Sequence, residues 1–148
     1  QKSSKEMGEE EERRALEKAT MEEHLDDIFR IVYVSTFNTA VQALQVLFQA
    51  TCMEGGHPPA RFYRALYARL GSGEFRSSSK HSLFLNLVFK AVKHDPLPTR
   101  RAAFIKRILQ VAAAAPVSLA CGALILVSEV MATRGEMWEV LEQKRNEE

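Results

Sequence analysis

The chain has 148 residues, enough for one domain with a buried core, and its 46% hydrophobic and 26% charged content excludes a disordered, collagenous or disulfide-stapled class. Cys52 and Cys121 both sit in apolar helical patterns and read as buried free thiols, a usage that fits a reducing compartment. The net charge of +1 conceals an asymmetry: residues 1–27 carry ten acids and five bases, residues 60–107 eleven bases and two acids (a balance of +9), and residues 129–148 six acids and three bases.

Residues 1–12 are polar and acidic and are expected to be disordered; residues 13–146 are expected to form a single α-helical domain. Gln1 in place of Met points to a piece of a longer protein, and the charged N-terminus has no apolar run that would make a signal peptide. A helix can begin among Glu10 to Leu16, with an apolar face at Leu25, Ile28, Phe29 and Val32. Ser35 or Thr36 caps the next helix, which carries Val41, Leu44, Leu47 and Phe48 and ends toward Gly55-Gly56. After Pro58-Pro59 comes a stripe of Phe62, Tyr63, Leu66, Tyr67 and Leu70, stopped by Gly71-Ser72-Gly73. Ser77 to Ser79 offer caps for a helix from Lys80 to about Lys93, striped by Leu83, Phe84, Leu87, Val88, Ala91 and Val92. Asp95-Pro96-Leu97-Pro98 is a break. Thr99 is the natural cap for a helix from Arg100 to about Ala114, striped by Phe104, Ile105, Ile108, Leu109 and Ala112.

Residues 108–128 carry no charge, long enough for a membrane span, but Pro116 divides them, and two buried helices meeting at Ala115-Pro116 explain the run better. The second runs to about Thr133 with Leu124, Ile125, Val127, Val130 and Met131 as its stripe. A last short helix over residues 136–144 would carry Trp138 as part of a cap or of a surface where the array continues. The stripes that start at Phe62, Leu83 and Phe104 are 21 residues apart. An apolar stripe at i, i+1, i+4, i+5 is one helix face, and a helix every ~21 residues is a pair every ~42, within the range of HEAT and armadillo arrays. The fold class is therefore all-α, a fragment of six to eight helices of a HEAT/armadillo-like helical-repeat solenoid, and such arrays are mostly binding scaffolds.

No constellation for catalysis is readable. His24, His57, His81 and His94 are scattered with no i, i+4 pair, so no metal site is expected. Cys121 lies within Leu119-Ala120-Cys121-Gly122-Ala123-Leu124, an apolar context that suppresses thiolate chemistry. Gly71-Ser72-Gly73 lacks the Gly-Lys-Ser/Thr that completes a P-loop. Glu22/Glu23 and Asp26/Asp27 read as a solvated helix face. The chain is read as a non-enzyme with no cofactor.

The basic centre is the sharpest signal. Arg61, Arg64 and Arg69 belong to one helix, Lys80, Lys90 and Lys93 to the next, and Arg100, Arg101, Lys106 and Arg107 to the third. Stacked helices would gather these ten cations into one patch for phosphates or for an acidic protein surface; a solubilising surface is the plain alternative. No helix-turn-helix, RNA-binding sheet or zinc finger supports reading of bases.

Five collinear segments carry a family resemblance: Asn38 to Gln49, Arg61 to Tyr67, Ser78 to Lys90, Ala103 to Val111 and Ala120 to Glu129. Together they cover about residues 36–134, and the chain resembles the CCAAT-binding factor family of nucleolar complex proteins. The resemblance implies a helical solenoid within a much larger protein of the nucleus and nucleolus. It implies a role in early large-ribosomal-subunit assembly, with a second nucleolar complex protein, the pre-ribosomal particle and ribosomal RNA as partners and with no membrane. It implies no catalytic residue. The runner-up is a transcription factor at CCAAT promoters. A cut array exposes an apolar end, so self-association of the fragment is also expected.

Overall fold

The apolar periodicity is realised as seven α-helices among the described residues of a computed structural model, which describes the backbone of residues 2–133 with Gly135, Glu139 and Glu142. They are α1 (Lys2–Val34), α2 (Phe37–Cys52), α3 (Ala60–Leu70), α4 (Gly73–Ser77), α5 (His81–His94), α6 (Pro98–Ala113) and α7 (Val117–Thr133), with a 3₁₀ turn at Met53–Gly55. No strand occurs among the described residues, and Trp138 lies outside them.

The helices make two layers. One holds α1, α3 and α6, in which α3 packs against both of the others; the second holds α2, α5 and α7, in which α5 has the central place. Contacts of α1 with α2, α2 with α3, α5 with α6 and α6 with α7 join the layers. This is a helical repeat of successive pairs, with the short α4 inserted between α3 and α5. The principal helices after α1 begin at Phe37, Ala60, His81, Pro98 and Val117, close to the expected beat.

The core is one continuous cluster from Phe29 to Met131. At one end Phe37, Phe75 and Phe84 form a triangle with centroids 4.9 to 5.8 Å apart. Phe62, Tyr63 and Phe104 continue the spine edge-to-face between α3 and α6. All six are buried, as are Val41, Leu44, Leu47, Phe48, Leu66 and Leu70.

Several local expectations change. The acidic residues 2–12 are helical as the start of α1, although composition reads them as disordered. Arg13 pairs with Glu10 (2.9 Å) and Glu17 (2.7 Å), and Arg14 with Glu10 (3.1 Å), at i, i+3 and i, i+4 spacing. Such pairs add about 0.2–0.5 kcal/mol each to a helix that α1 anchors further on through Phe29 and Val32. The link read as a plain Gly-Ser stop contains α4, held by the buried Phe75. Helix α6 starts at Pro98, with Leu97 rather than Thr99 at the cap: proline suits the first turn, and Asp95 Oδ1 accepts the Leu97 N–H (2.9 Å).

The uncharged run is two helices, as expected, and no helix among the described residues is long and apolar enough to cross a membrane. The buried face of α7 differs from the expected stripe. Leu119, Ala123, Leu126, Val130 and Met131 are buried, whereas Leu124 and Ile125 are exposed. A helix that is apolar all round has no period to single out its inner face. For the same reason Cys121, expected in the core, is exposed. Cys52 is half-buried, and that burial pushes its thiol up; both cysteines are free.

Candidate nucleic-acid interface

The cations of the basic centre divide by helix and by layer. Helix α2 carries no charged residue and α7 only Glu129, while α3 and α6 carry seven arginines and lysines. The seam where α3 and α6 pack side by side therefore concentrates the positive charge.

Four of the ten expected patch residues serve the fold itself. Arg61 pairs with Asp26 of α1 and lies over the Phe29 ring, 4.2 Å from its centroid. Arg69 Nη2 donates to the Val32 (2.5 Å) and Ser35 (3.2 Å) carbonyls, closing the C-terminal end of α1, and its Nη1 meets Glu74 at 3.4 Å. Arg101 is 2% exposed, and its Nη1 donates to the Asp95 carbonyl (2.6 Å); no ligand can reach it. Arg100 grips the fully buried Asp95 through Nε (2.5 Å) and Nη2 (2.6 Å) and stacks on Tyr63, 3.8 Å from its centroid. The hydrogen bond to Asp95 raises the Arg100 pKa. Arg107 is half-buried beside the α3–α4 turn, 5.9 Å from the Tyr67 centroid.

Arg64, Lys80, Lys90, Lys93 and Lys106 are exposed. Arg64 and Lys106 stand on the α3 and α6 layer, and Lys90 and Lys93 on α5 in the other. The structure thus does not gather all ten on one flank. Of the exposed cations, Arg64 borders a furrow of about 370 Å³ lined by Ala60, Tyr63, Arg64, Tyr67, Arg100, Ala103 and Phe104. Ala60 and Ala103 are small enough to leave the furrow open, and Tyr67, 38% exposed, supplies an aromatic wall. Cations interleaved with an aromatic ring are suited to a phosphate backbone and its bases.

Arg76 was not among the residues that the sequence singled out. It is exposed on α4, and its guanidinium has no ion pair among the described residues. The signal was its place in the basic stretch, hidden because the Gly-Ser surroundings read as a turn. Among the described residues, no three His, Cys, Asp or Glu side chains converge as metal ligands.

Tyr63 backs the furrow and titrates abnormally. Burial first, then the Asp95 charge, push its phenol up to about 12. A tyrosine neutral in the fold but ionised earlier in the unfolded chain stabilises the fold fully below pH 10. That contribution is lost as pH rises from about 10 toward about 12, a total of about 2–3 kcal/mol for a shift of that size. Urea unfolding of wild type and Tyr63→Phe across that window is expected to show the wild type losing about that much more.

The profile of the CBF/Mak21 family matches residues 40–148. The chain belongs to the CBF/Mak21 family. This CBF/Mak21 segment is 41% identical over 126 residues to the ribosome biogenesis protein NOC1 of Chaetomium thermophilum, covering 85% of the chain and 12% of that relative. It is 39% identical over 121 residues to the protein SLOW WALKER 2 of Arabidopsis thaliana, covering 82% of the chain and 12% of the relative. It is 40% identical over 109 residues to CCAAT/enhancer-binding protein zeta of Homo sapiens, covering 74% of the chain and 10% of the relative. The CBF/Mak21 chain thus spans about an eighth or less of the length of these relatives. No solved structure matches it.

Proposed function

We propose that this chain is a non-catalytic scaffold segment of a nucleolar ribosome-biogenesis factor, acting in assembly of the large-subunit precursor through contacts with protein and pre-ribosomal RNA. The observation that carries this reading is the furrow between α3 and α6, cationic and aromatic, on a helical repeat of a family that includes a relative named a ribosome biogenesis protein. The exposed apolar residues Val117, Leu124 and Ile125 of α7 support a protein contact on a separate face, for a second nucleolar complex protein or another copy of this segment. The place of action is then the nucleus and nucleolus.

The test is recovery of the full-length protein from cells, with identification of bound RNA and proteins and measurement of RNA affinity against salt. Pre-ribosomal RNA is expected, with affinity falling steeply and linearly in log[salt] and with little sequence preference. Recovery of promoter DNA without pre-ribosomal material, and a large preference for CCAAT over scrambled duplexes at matched salt, would establish the transcriptional alternative instead.

A further inference from the structure

Beside the furrow, where α3 turns into α4, lies a cleft of about 210 Å³ whose polar lining includes Ser72, Arg76, Arg107 and Gln110. No carboxylate lines it, and the nearby Glu74 is engaged by Arg69. Two guanidiniums from different helices thus share one small space with no counter-charge in it.

Arg107 is held there in an unusual way. Its Nε is buried and has no hydrogen-bond partner, while Nη1 donates to Gln110 Oε1 at 3.3 Å. A buried charged donor left unpaired is costly, so this guanidinium gains from an acceptor that reaches it. Capping of α3 does not supply one. The Tyr67 carbonyl already accepts the Gly71 N–H (3.2 Å), and the Arg69 carbonyl accepts the Ser72 N–H (3.2 Å) and hydroxyl (2.8 Å). Gly71 makes room for this arginine, because a Cβ there would strike the Arg107 guanidinium.

We propose that this cleft binds a phosphodiester of single-stranded RNA, gripped between Arg107 and Arg76; the proposal rests on the reading that this segment contacts RNA. A guanidinium offers parallel N–H donors that match phosphate oxygens, and Arg107 lines the cleft while its covered Nε sits against Gly71. The strand continues into the furrow, because Arg107 lies over Tyr67 and Tyr67 shares the furrow with Arg64. Arg64, Tyr67 and Gly71 follow one another on α3 and in the turn that closes it, so cation, ring and cleft succeed each other over about 10 Å. A strand reaches all three, with a base against the exposed Tyr67 ring. A lone phosphorylated side chain would fill the cleft and leave the furrow unused.

The experiment measures binding of a labelled oligouridylate to this chain by fluorescence anisotropy over a salt series, for wild type, Arg76→Ala, Arg107→Ala, Gly71→Ala and Lys90→Ala. Circular dichroism confirms that each variant is helical. Arg76→Ala, an exposed change, keeps the test valid if a variant of the half-buried Arg107 fails to fold. Affinity is expected to fall about tenfold for Arg76→Ala and Arg107→Ala, with the slope of log K against log[salt] shallower by about 0.7 per lost phosphate contact. Gly71→Ala is expected to weaken binding by displacing Arg107 with no change of charge, and Lys90→Ala, on the other layer, to change it less than twofold. Wild-type binding with equal, small losses in all four variants would overturn the cleft while leaving RNA contact by the segment intact. Tighter binding of a phosphoserine peptide than of oligouridylate, abolished by Arg76→Ala, would overturn the RNA assignment and make the cleft a phosphopeptide site. Absence of wild-type binding to oligouridylate overturns the proposal, and recovery of pre-ribosomal RNA with the full-length protein would show that the broader reading survives it.

Discussion

Asp95→Ala is expected to destabilise the fold by about 3–5 kcal/mol, the cost typical of removing one partner from a buried charge pair. Asp95 is fully buried, and its side chain does two jobs. Both oxygens receive Arg100, at 2.5 and 2.6 Å, and Oδ1 also accepts the Leu97 N–H that leads into α6. Its backbone carbonyl takes a bond from the buried Arg101. Without the carboxylate, Arg100 is left as a cation stacked on Tyr63 with no counter-charge, and the α5–α6 turn loses the contact that fixes its direction. Asp95→Asn keeps the shape and one acceptor but loses the charge, so it is expected to fall between wild type and alanine. Urea unfolding followed by circular dichroism checks the series, and a loss under 1 kcal/mol for Asp95→Ala would show that water replaces the carboxylate at little cost.

Phe84→Ala is expected to cost about 3–5 kcal/mol, the range for deleting a fully buried aromatic from a core that cannot collapse around the void. Phe84 has no exposed surface, and its ring meets Phe37 of α2 (5.1 Å) and Phe75 of α4 (4.9 Å). One side chain thus ties three helices, and α4 has Phe75 as its only buried residue. The loss should therefore be spatially uneven: amide exchange in α4 is expected to quicken more than in α3, which Phe62, Tyr63, Leu66 and Leu70 anchor with four large buried side chains. Phe84→Leu fills most of the void and is expected to recover more than half of the stability. Equal protection of α4 in wild type and Phe84→Ala would mean that Phe75 is anchored by other contacts, with Phe37 and His81 the nearest rings.

Helix positions were legible wherever a helix has one apolar face and a polar back. For α2, α3 and α5 the expected bounds fall within about three residues of those observed, and their stripes lie on the buried faces except for the exposed Tyr67 and the half-buried Leu83. Legibility failed where the physical signal is degenerate. On α7 most residues are apolar, so the pattern points Cys121, Leu124 and Ile125 inward although they face out. Residues 2–12 at the start of α1 are mostly charged and read as disordered by composition, although they are helical and Glu10 pairs with Arg13 and Arg14. The basic patch shows a third kind of limit. Charge counting located the right stretch, but a cation's task depends on what stands opposite it. Arg101 opposite the Asp95 carbonyl and Arg69 opposite the end of α1 were indistinguishable in the sequence from Arg64, which faces solvent. Arg76 carries no helix signal, because five residues of helix inside a Gly-Ser link have no period to read.

The first layer begins with α1, where acids outnumber bases, and continues through α3 and α6, where nearly all charge is positive. Along the first layer the described helices are therefore electrically lopsided, like a compass needle. Toward a polyanion such a layer experiences a torque as well as a pull, which turns its α3 and α6 side to the incoming charge before any atom touches. At physiological ionic strength that guidance acts only over the last ~8 Å of approach, about three layers of water.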